Sequence, residues 1–197
     1  MGRIVGVTAA DTRKRLLRAA ADVFAERGYD GVRVTDIAAT AGVSNGALYA
    51  HFGSKAELMV EALRERGRPL LAEAFGDDHQ TITDLLVSGR WLPRRLNARG
   101  YLLAEALVAV RRDEDVRQLI RAYVCECADY LTELMRAAQA TGTLGSDLSP
   151  NALTHFCLLL ATGSALITPD LHDVGDEEWA TLLTRVVTSH ARTVVRP

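Results

Sequence analysis

The chain has 197 residues, of which 48% are hydrophobic and 24% charged, with a formal net charge of −2. That length fits one large domain or two small ones and permits a real core, so a disordered chain is excluded. No apolar run approaches the roughly 18 residues of a membrane span, and the first ten residues carry no secretory signal pattern; a cytoplasmic protein is expected.

Thr8 and Asp11 have capping-box spacing. From there "DTRKRLLRAAADVFAERGY" places Leu16, Leu17, Ala20, Val23 and Phe24 at helical steps, and Gly28 supplies a left-handed exit. After a loop over 29–34, Thr35 is read as the N-cap of a short helix over 36–41, closed by Gly42. Ser44 caps a second short helix over 45–51. Ser54 and Glu57 form another capping box for a helix from Lys55 to about Ala74, with Leu58, Ala62 and Leu63 on its buried face. A polar break at 76–80 precedes a helix that starts at Thr81 with Asp84 and ends or kinks at Pro93. Residues 97–110 read as helix. Asp113 caps a long one to about Ala140, with Val116, Leu119, Ile120, Tyr123, Val124, Cys127, Leu131, Leu134 and Met135 on its apolar side. Ser149-Pro150 is a strong start for a helix to about Ile167, and Glu177 to Val195 reads as a last amphipathic helix. No convincing strand or repeat is present. The fold class is all-α, with about nine helices.

Two short helices joined by a turn containing Gly make a helix-turn-helix. Stubs of that length are marginal alone. Here Ile37, Ala38, Ala41, Val43, Leu48 and Phe52 can bury against Leu17, Ala20 and Phe24. The second stub then keeps a slim, small or polar outer surface, suited to a major groove about 12 Å wide. Asn45 can pair with adenine, Ala47 can touch a thymine methyl, and Gly46 permits close backbone approach. Tyr49 and His51 can reach phosphates, while Thr35 and Lys55 sit at helix N-termini that favour anions. Similar hairpins also occur in proteins that never touch DNA.

The stretch "TDIAATAGVSNGALYAHFGSKAEL" closely resembles the signature of the TetR family of bacterial transcriptional regulators, and "RLLRAAADVFAERGYDGVRV" resembles that family's first helix and loop. The likeness covers about residues 12–64. It implies a helix-turn-helix domain over 8–54 and a helical ligand-binding and dimerisation domain over 55–197. It further implies a homodimer reading a palindromic double-stranded DNA operator and released from it by a small-molecule effector. By position, Ser44, Asn45, Gly46 and Ala47 would meet base edges. Thr35, Tyr49, His51 and Lys55 would meet phosphates, with Arg33 flanking them.

Elsewhere the signals are weaker. Trp91, Tyr101, Glu105, Tyr123, Cys127, His155 and Phe156 are candidates for an effector pocket, although each could be plain core. Phe156, Leu159, Leu160 and Gly163, together with Trp179, Leu182, Leu183, Val186 and Val187, could form an intersubunit four-helix bundle, or pack within one chain. Cys125-Glu126-Cys127 lacks a matching pair of ligands, so no metal site is expected. Cys125, Cys127 and Cys157 read as reduced thiols, with Cys127 in the core and Cys125 in a pocket or at the surface. His155-Phe156-Cys157 has no positioned acid or oxyanion loop, and no phosphate-binding glycine loop exists. An enzyme is therefore not expected, and neither is a cofactor. Rival readings are an activator, or a small-molecule binder with a vestigial reading domain.

Overall fold

The computed structural model describes residues 8–75, 98–142, 144–167 and 171–188. Eight helices and no strand occur among them: α1 (Ala9–Arg27), α2 (Val34–Ala41), α3 (Asn45–Tyr49), α4 (Lys55–Phe75), α5 (Ala98–Ala109), α6 (Glu114–Ala140), α7 (Pro150–Leu166) and α8 (Asp176–Thr188). The all-α expectation holds. The helix expected from Thr81 to Pro93 lies outside the described residues, as does the end of the last one.

The helix ends follow from local chemistry. Thr8 Oγ1 accepts from the Asp11 N–H at 3.1 Å, and the Asp11 carboxylate accepts from the Thr8 N–H at 3.1 Å. The hydrogen bonds from Thr8 hold the Asp11 carboxyl below its ordinary range. Gly28 ends α1 at φ 73°, and its N–H returns to Phe24 O. Ser54 Oγ accepts from the Glu57 N–H at 3.0 Å, while Glu57 reaches back to the Gly53 N–H at 2.7 Å and so opens α4. Ser149 caps α7 with Pro150 at its first position. Asp113 caps α6 by accepting from the Val116 N–H at 3.0 Å.

The chain forms two compact units. The first holds the chain as far as Gly67 together with Ala98–Tyr123. In it α1 packs on α2 and on α5. Leu16, Leu17, Ala20 and Phe24 of α1 are buried, as are Ile37, Ala38, Leu48 and Phe52 of the hairpin, the set the periodicity names. Val43 is only half-buried. Leu58, Met59, Ala62 and Leu63 of α4, Leu102 and Ala106 of α5, and Val116 and Ile120 of α6 complete this core. Each large side chain in it contributes on the order of 1.5–3 kcal/mol by leaving water. That burial, and not helix propensity, is what keeps short α2 and α3 formed.

The second unit holds the described residues of the remainder. Its buried residues are fewer: Met135 and Ala138 of α6, Leu144 of the following loop, Cys157 of α7 and Leu183 of α8. A buried hydroxyl pair, Thr132 Oγ1 to Thr154 Oγ1 at 3.0 Å, links α6 to α7. Gln139 Nε2 holds the loop by donating to Gly145 O and Leu148 O, each at 2.8 Å. The cysteines differ in burial. Cys157 is buried and Cys127 half-buried, but Cys125 is exposed. Residues two apart on a helix point roughly 200° apart, so one face cannot bury both Cys125 and Cys127. Burial pushes the Cys157 thiol up to about 12.

Candidate nucleic-acid interface

The hairpin turns at Gly42, which lies in the left-handed region at φ 64°, ψ 39°. Its N–H donates to Ala39 O and the Val43 N–H to Ala38 O, both at 3.0 Å, which satisfies carbonyls the end of α2 would otherwise leave free. Arg15 of α1 joins them: Nη2 donates to Ala41 O at 2.5 Å and to Gly42 O at 3.4 Å. Ser44 then caps α3, its Oγ accepting from the Ala47 N–H at 3.1 Å. Leu48 and, just beyond α3, Phe52 are buried, so the segment is anchored on one side only. The Arg13 guanidinium lies 5.3 Å from the Phe52 ring centre and pairs with Glu61 at 2.5 Å.

On the free side the expected residues gather. Ser44, Asn45 and Gly46 are exposed, Tyr49 is 58% exposed, and Ala47 and His51 are half-buried. The Ser44 hydroxyl, although it accepts the cap bond, keeps a proton to donate outward. Thr35 is exposed in the first turn of α2. It is not the N-cap, because α2 begins at Val34 with Arg33 as cap, and Asp36 reaches back to the Arg33 N–H at 3.4 Å. The Arg33 side chain stands in solvent near Asp36, 3.7 Å away. The second stub is also shorter than expected, closing at Tyr49, with Ala50 as its C-cap.

Lys55 behaves differently. It opens α4 as expected, but its ammonium turns inward. Nζ donates to Tyr29 O at 2.7 Å and to Val32 O at 3.0 Å, and sits 4.2 Å from the Tyr29 ring centre. A cation bound by two carbonyls and an aromatic face clamps the loop after α1. Tyr29 continues the chain of contacts. Its ring stacks on Phe24 at 5.8 Å, and its hydroxyl donates to Asp113 Oδ2 at 3.1 Å. Burial first, and then Asp113, push the Tyr29 phenol above its ordinary range. The Val116 N–H, ahead of the Tyr29 hydroxyl, holds the Asp113 carboxyl below its own. Sequence periodicity marks none of Arg13, Arg15, Tyr29 or Asp113 as partners of the hairpin or of α4.

The hairpin coincides with a known family pattern. Residues 16–62 match the model of the bacterial regulatory proteins of the tetR family. The HTH-type transcriptional repressor DhaR of Mycobacterium sp. strain GP1 is 30% identical over 78% of this chain and 80% of its own length. The chain belongs to the TetR family. The HTH-type transcriptional regulator UidR of Escherichia coli K12 is 26% identical over 86% of this chain and 87% of its own. The solved structure of Salmonella enterica GusR superposes with a TM-score of 0.74 and 26% identity, covering 91% of this chain and 95% of that one. This TetR-family chain is thus a transcriptional regulator and not an enzyme, in accord with the sequence reading.

The effector candidates of the TetR-family chain fall in both units. Tyr101, Glu105 and Tyr123 belong to the first. Tyr101 is exposed and lines a shallow depression with Asp22, Ala25 and Glu26. Half-buried Glu105 stands beside Gly28 at the end of α1, and Tyr123 lies under the Arg64 guanidinium at 5.7 Å. In the second unit Cys127 is half-buried, whereas His155 and Phe156 are exposed on α7. Trp91 lies outside the described residues.

Of the residues expected at a subunit interface, Leu159 is 59% exposed and Val186 is exposed, with Leu160, Gly163 and Trp179 half-buried. Leu183 is buried within the chain itself. Val187 falls in α8, but its side chain is outside those described. Leu182, the remaining apolar candidate on α8, is exposed, as are Leu166 and Ile167 at the end of α7. No helix among the described residues is long and apolar enough to cross a membrane.

Proposed function

We propose that this regulator is a cytoplasmic homodimeric repressor that reads a palindromic operator with α3 and leaves it when a small molecule binds. The observation that carries the reading is α3 itself. It is capped by Ser44 and anchored through Leu48, and it presents Asn45, Gly46 and Tyr49 to solvent. Such a surface can enter a major groove, with Ser44, Asn45, Gly46 and Ala47 at base edges and Thr35, Tyr49, His51 and Arg33 toward phosphates. Lys55 serves as the support described above. Repression is supported by the name of DhaR, a transcriptional repressor over most of its length similar to this chain.

Residues 8–54 form the reading domain and 55–197 the domain that holds effector and partner. Dimerisation is supported by the exposed apolar residues Phe156, Leu159 and Leu166 of α7, by Ile167 just past its end, and by Leu182 and Val186 on α8. Phe156 suits that surface better than a pocket. Half-buried Glu105, Tyr123 and Cys127 remain the better effector candidates. Release follows if the effector favours a dimer whose reading helices no longer match half-sites about 34 Å apart, with α4 carrying the change.

Selection from a random-sequence duplex library, followed by gel shift and sedimentation, tests this. A palindromic consensus bound by a dimer is expected. A chain that enriches no sequence, or that binds only as a monomer, overturns the reading.

A further inference from the structure

We propose that Arg15 is a positioning residue for the DNA-reading helix: its guanidinium sets the direction in which the chain leaves α2 and so the pose of α3. This rests on α3 being the reading element.

The argument starts from length. A helix of five residues cannot hold its own direction, so the pose of α3 is inherited from what precedes and follows it. What precedes it is the turn at Gly42. The last carbonyls of a helix have no partners within it, and a cation placed there also meets the negative end of the dipole. Arg15 supplies such a cation to Ala41 O and Gly42 O from a different helix. Its own base is firm, because Leu16 and Leu17, the next two residues of α1, are buried. Arg15 therefore adds a polar tie from α1 to the turn, beside the apolar packing of α1 on α2.

A second observation concerns Gly42. A Cβ added there would lie 2.9 Å from Arg15 Nη2, so the guanidinium packs on the space that this glycine leaves open. The left-handed φ asks for glycine there, and a Cβ would displace the guanidinium from its place on the turn. On the other side of α1, Arg13 covers Phe52, the plug that follows α3. Residues 13 and 15 point roughly 200° apart, so one helix holds both the entry and the exit of α3.

Positioning and phosphate binding make opposite predictions. A phosphate contact strengthens binding to every sequence alike and adds about one unit to the salt dependence. A positioning residue acts on discrimination, because a tilted α3 still meets phosphates but no longer aligns with base edges.

The test uses the full-length protein and its selected operator. For Arg15→Ala, affinity for the operator is expected to fall roughly tenfold, while affinity for scrambled duplex and the salt slope stay as in the parent. The operator-to-scrambled ratio therefore narrows roughly tenfold, and base preference at the positions facing α3 relaxes. Arg18→Ala removes the same charge from an exposed site one turn along α1 and is expected to keep the parental ratio. If Arg15→Ala folds poorly, Arg15→Gln replaces it and should narrow the ratio in the same direction. An unchanged ratio with equal losses on operator and scrambled DNA, or a salt slope lowered by about one unit, overturns the proposal. Failure of the parent protein to select any sequence overturns the reading of α3 instead, and the two failures are told apart by the parent alone.

Discussion

Replacing Lys55 by methionine keeps most of the side chain's apolar stem and removes its charge. In the folded protein the ammonium donates to Tyr29 O at 2.7 Å and Val32 O at 3.0 Å, and lies 4.2 Å from the Tyr29 ring centre. Tyr29 and Val32 are both buried, so their carbonyls gain little replacement water. A hydrogen bond to a charged group contributes on the order of 1.5–3 kcal/mol and a cation–π contact about 0.5–1 kcal/mol. The three share one half-buried group and do not add fully, so about 2–4 kcal/mol is the reasonable loss. In a chain of this size that lowers Tm by roughly 5–15 °C. The DNA assay carries the sharper distinction. A lysine bound to phosphate releases a counterion, and its removal lowers the slope of log affinity against log salt by about 0.9. A lysine spent on carbonyls leaves that slope unchanged, although affinity falls because the support for α4 is loosened. Thermal melts and a salt series on the selected operator measure both. A Lys55→Met protein with parental Tm and a slope reduced by one unit would show the inward clamp to be wrong.

Four further outcomes follow from the same geometry. Asn45→Ala is expected to relax choice at one operator position and to cost about 1–3 kcal/mol there, as read by a library of single-base variants. Thr132→Val leaves the buried Thr154 hydroxyl, 3.0 Å away, without its partner; a loss of about 1–3 kcal/mol in denaturant melts should shrink in the Thr132→Val, Thr154→Val double variant. Cys125 is expected to react with a thiol reagent in the native protein at neutral pH and Cys157 only on unfolding, because burial holds its thiol up at about 12; mass spectrometry after a short pulse of reagent decides it. The Asp113 carboxyl is lowered in the fold, first by the Val116 N–H, so its contribution is full above the unfolded value of about 3.9 and is lost as pH falls through the lower folded value. Asp113→Asn should therefore flatten the acid limb of a Tm-against-pH curve while changing the neutral limb little in slope.

What the sequence makes legible is what acts over three or four residues. The Thr8–Asp11 box, the Gly28 and Gly42 exits, the Ser44 and Ser149 caps and the Asp113 cap are all local, and each stands where the residue types put it. The start of α2 is decided by a local rivalry. Thr35 is a good cap, but Asp36 instead bonds back to Arg33, which moves the start of α2 ahead to Val34. What stays hidden is partner choice across distance. Arg15 meets a carbonyl 26 residues away and Tyr29 a carboxylate 84 residues away. Periodicity names the face a side chain occupies, but not which element comes to meet it. For the same reason the two carbonyl partners of Lys55 are invisible in the sequence. Nothing within four residues of Lys55 indicates that two carbonyls of an earlier loop will claim its charge. The exposed apolar side of α7 has a related cause: helical spacing marks Leu159 as hydrophobic without saying whether its own chain will cover it.

A rod of five residues spans only about 7.5 Å, little more than two steps of stacked base pairs. So short a probe distinguishes few letters, and by itself it would find matching text all over a genome. In the proposed dimer, addressing one place depends less on how well a single probe reads than on the fixed gap between two of them, which would make that gap the cheapest thing for a signal to spoil.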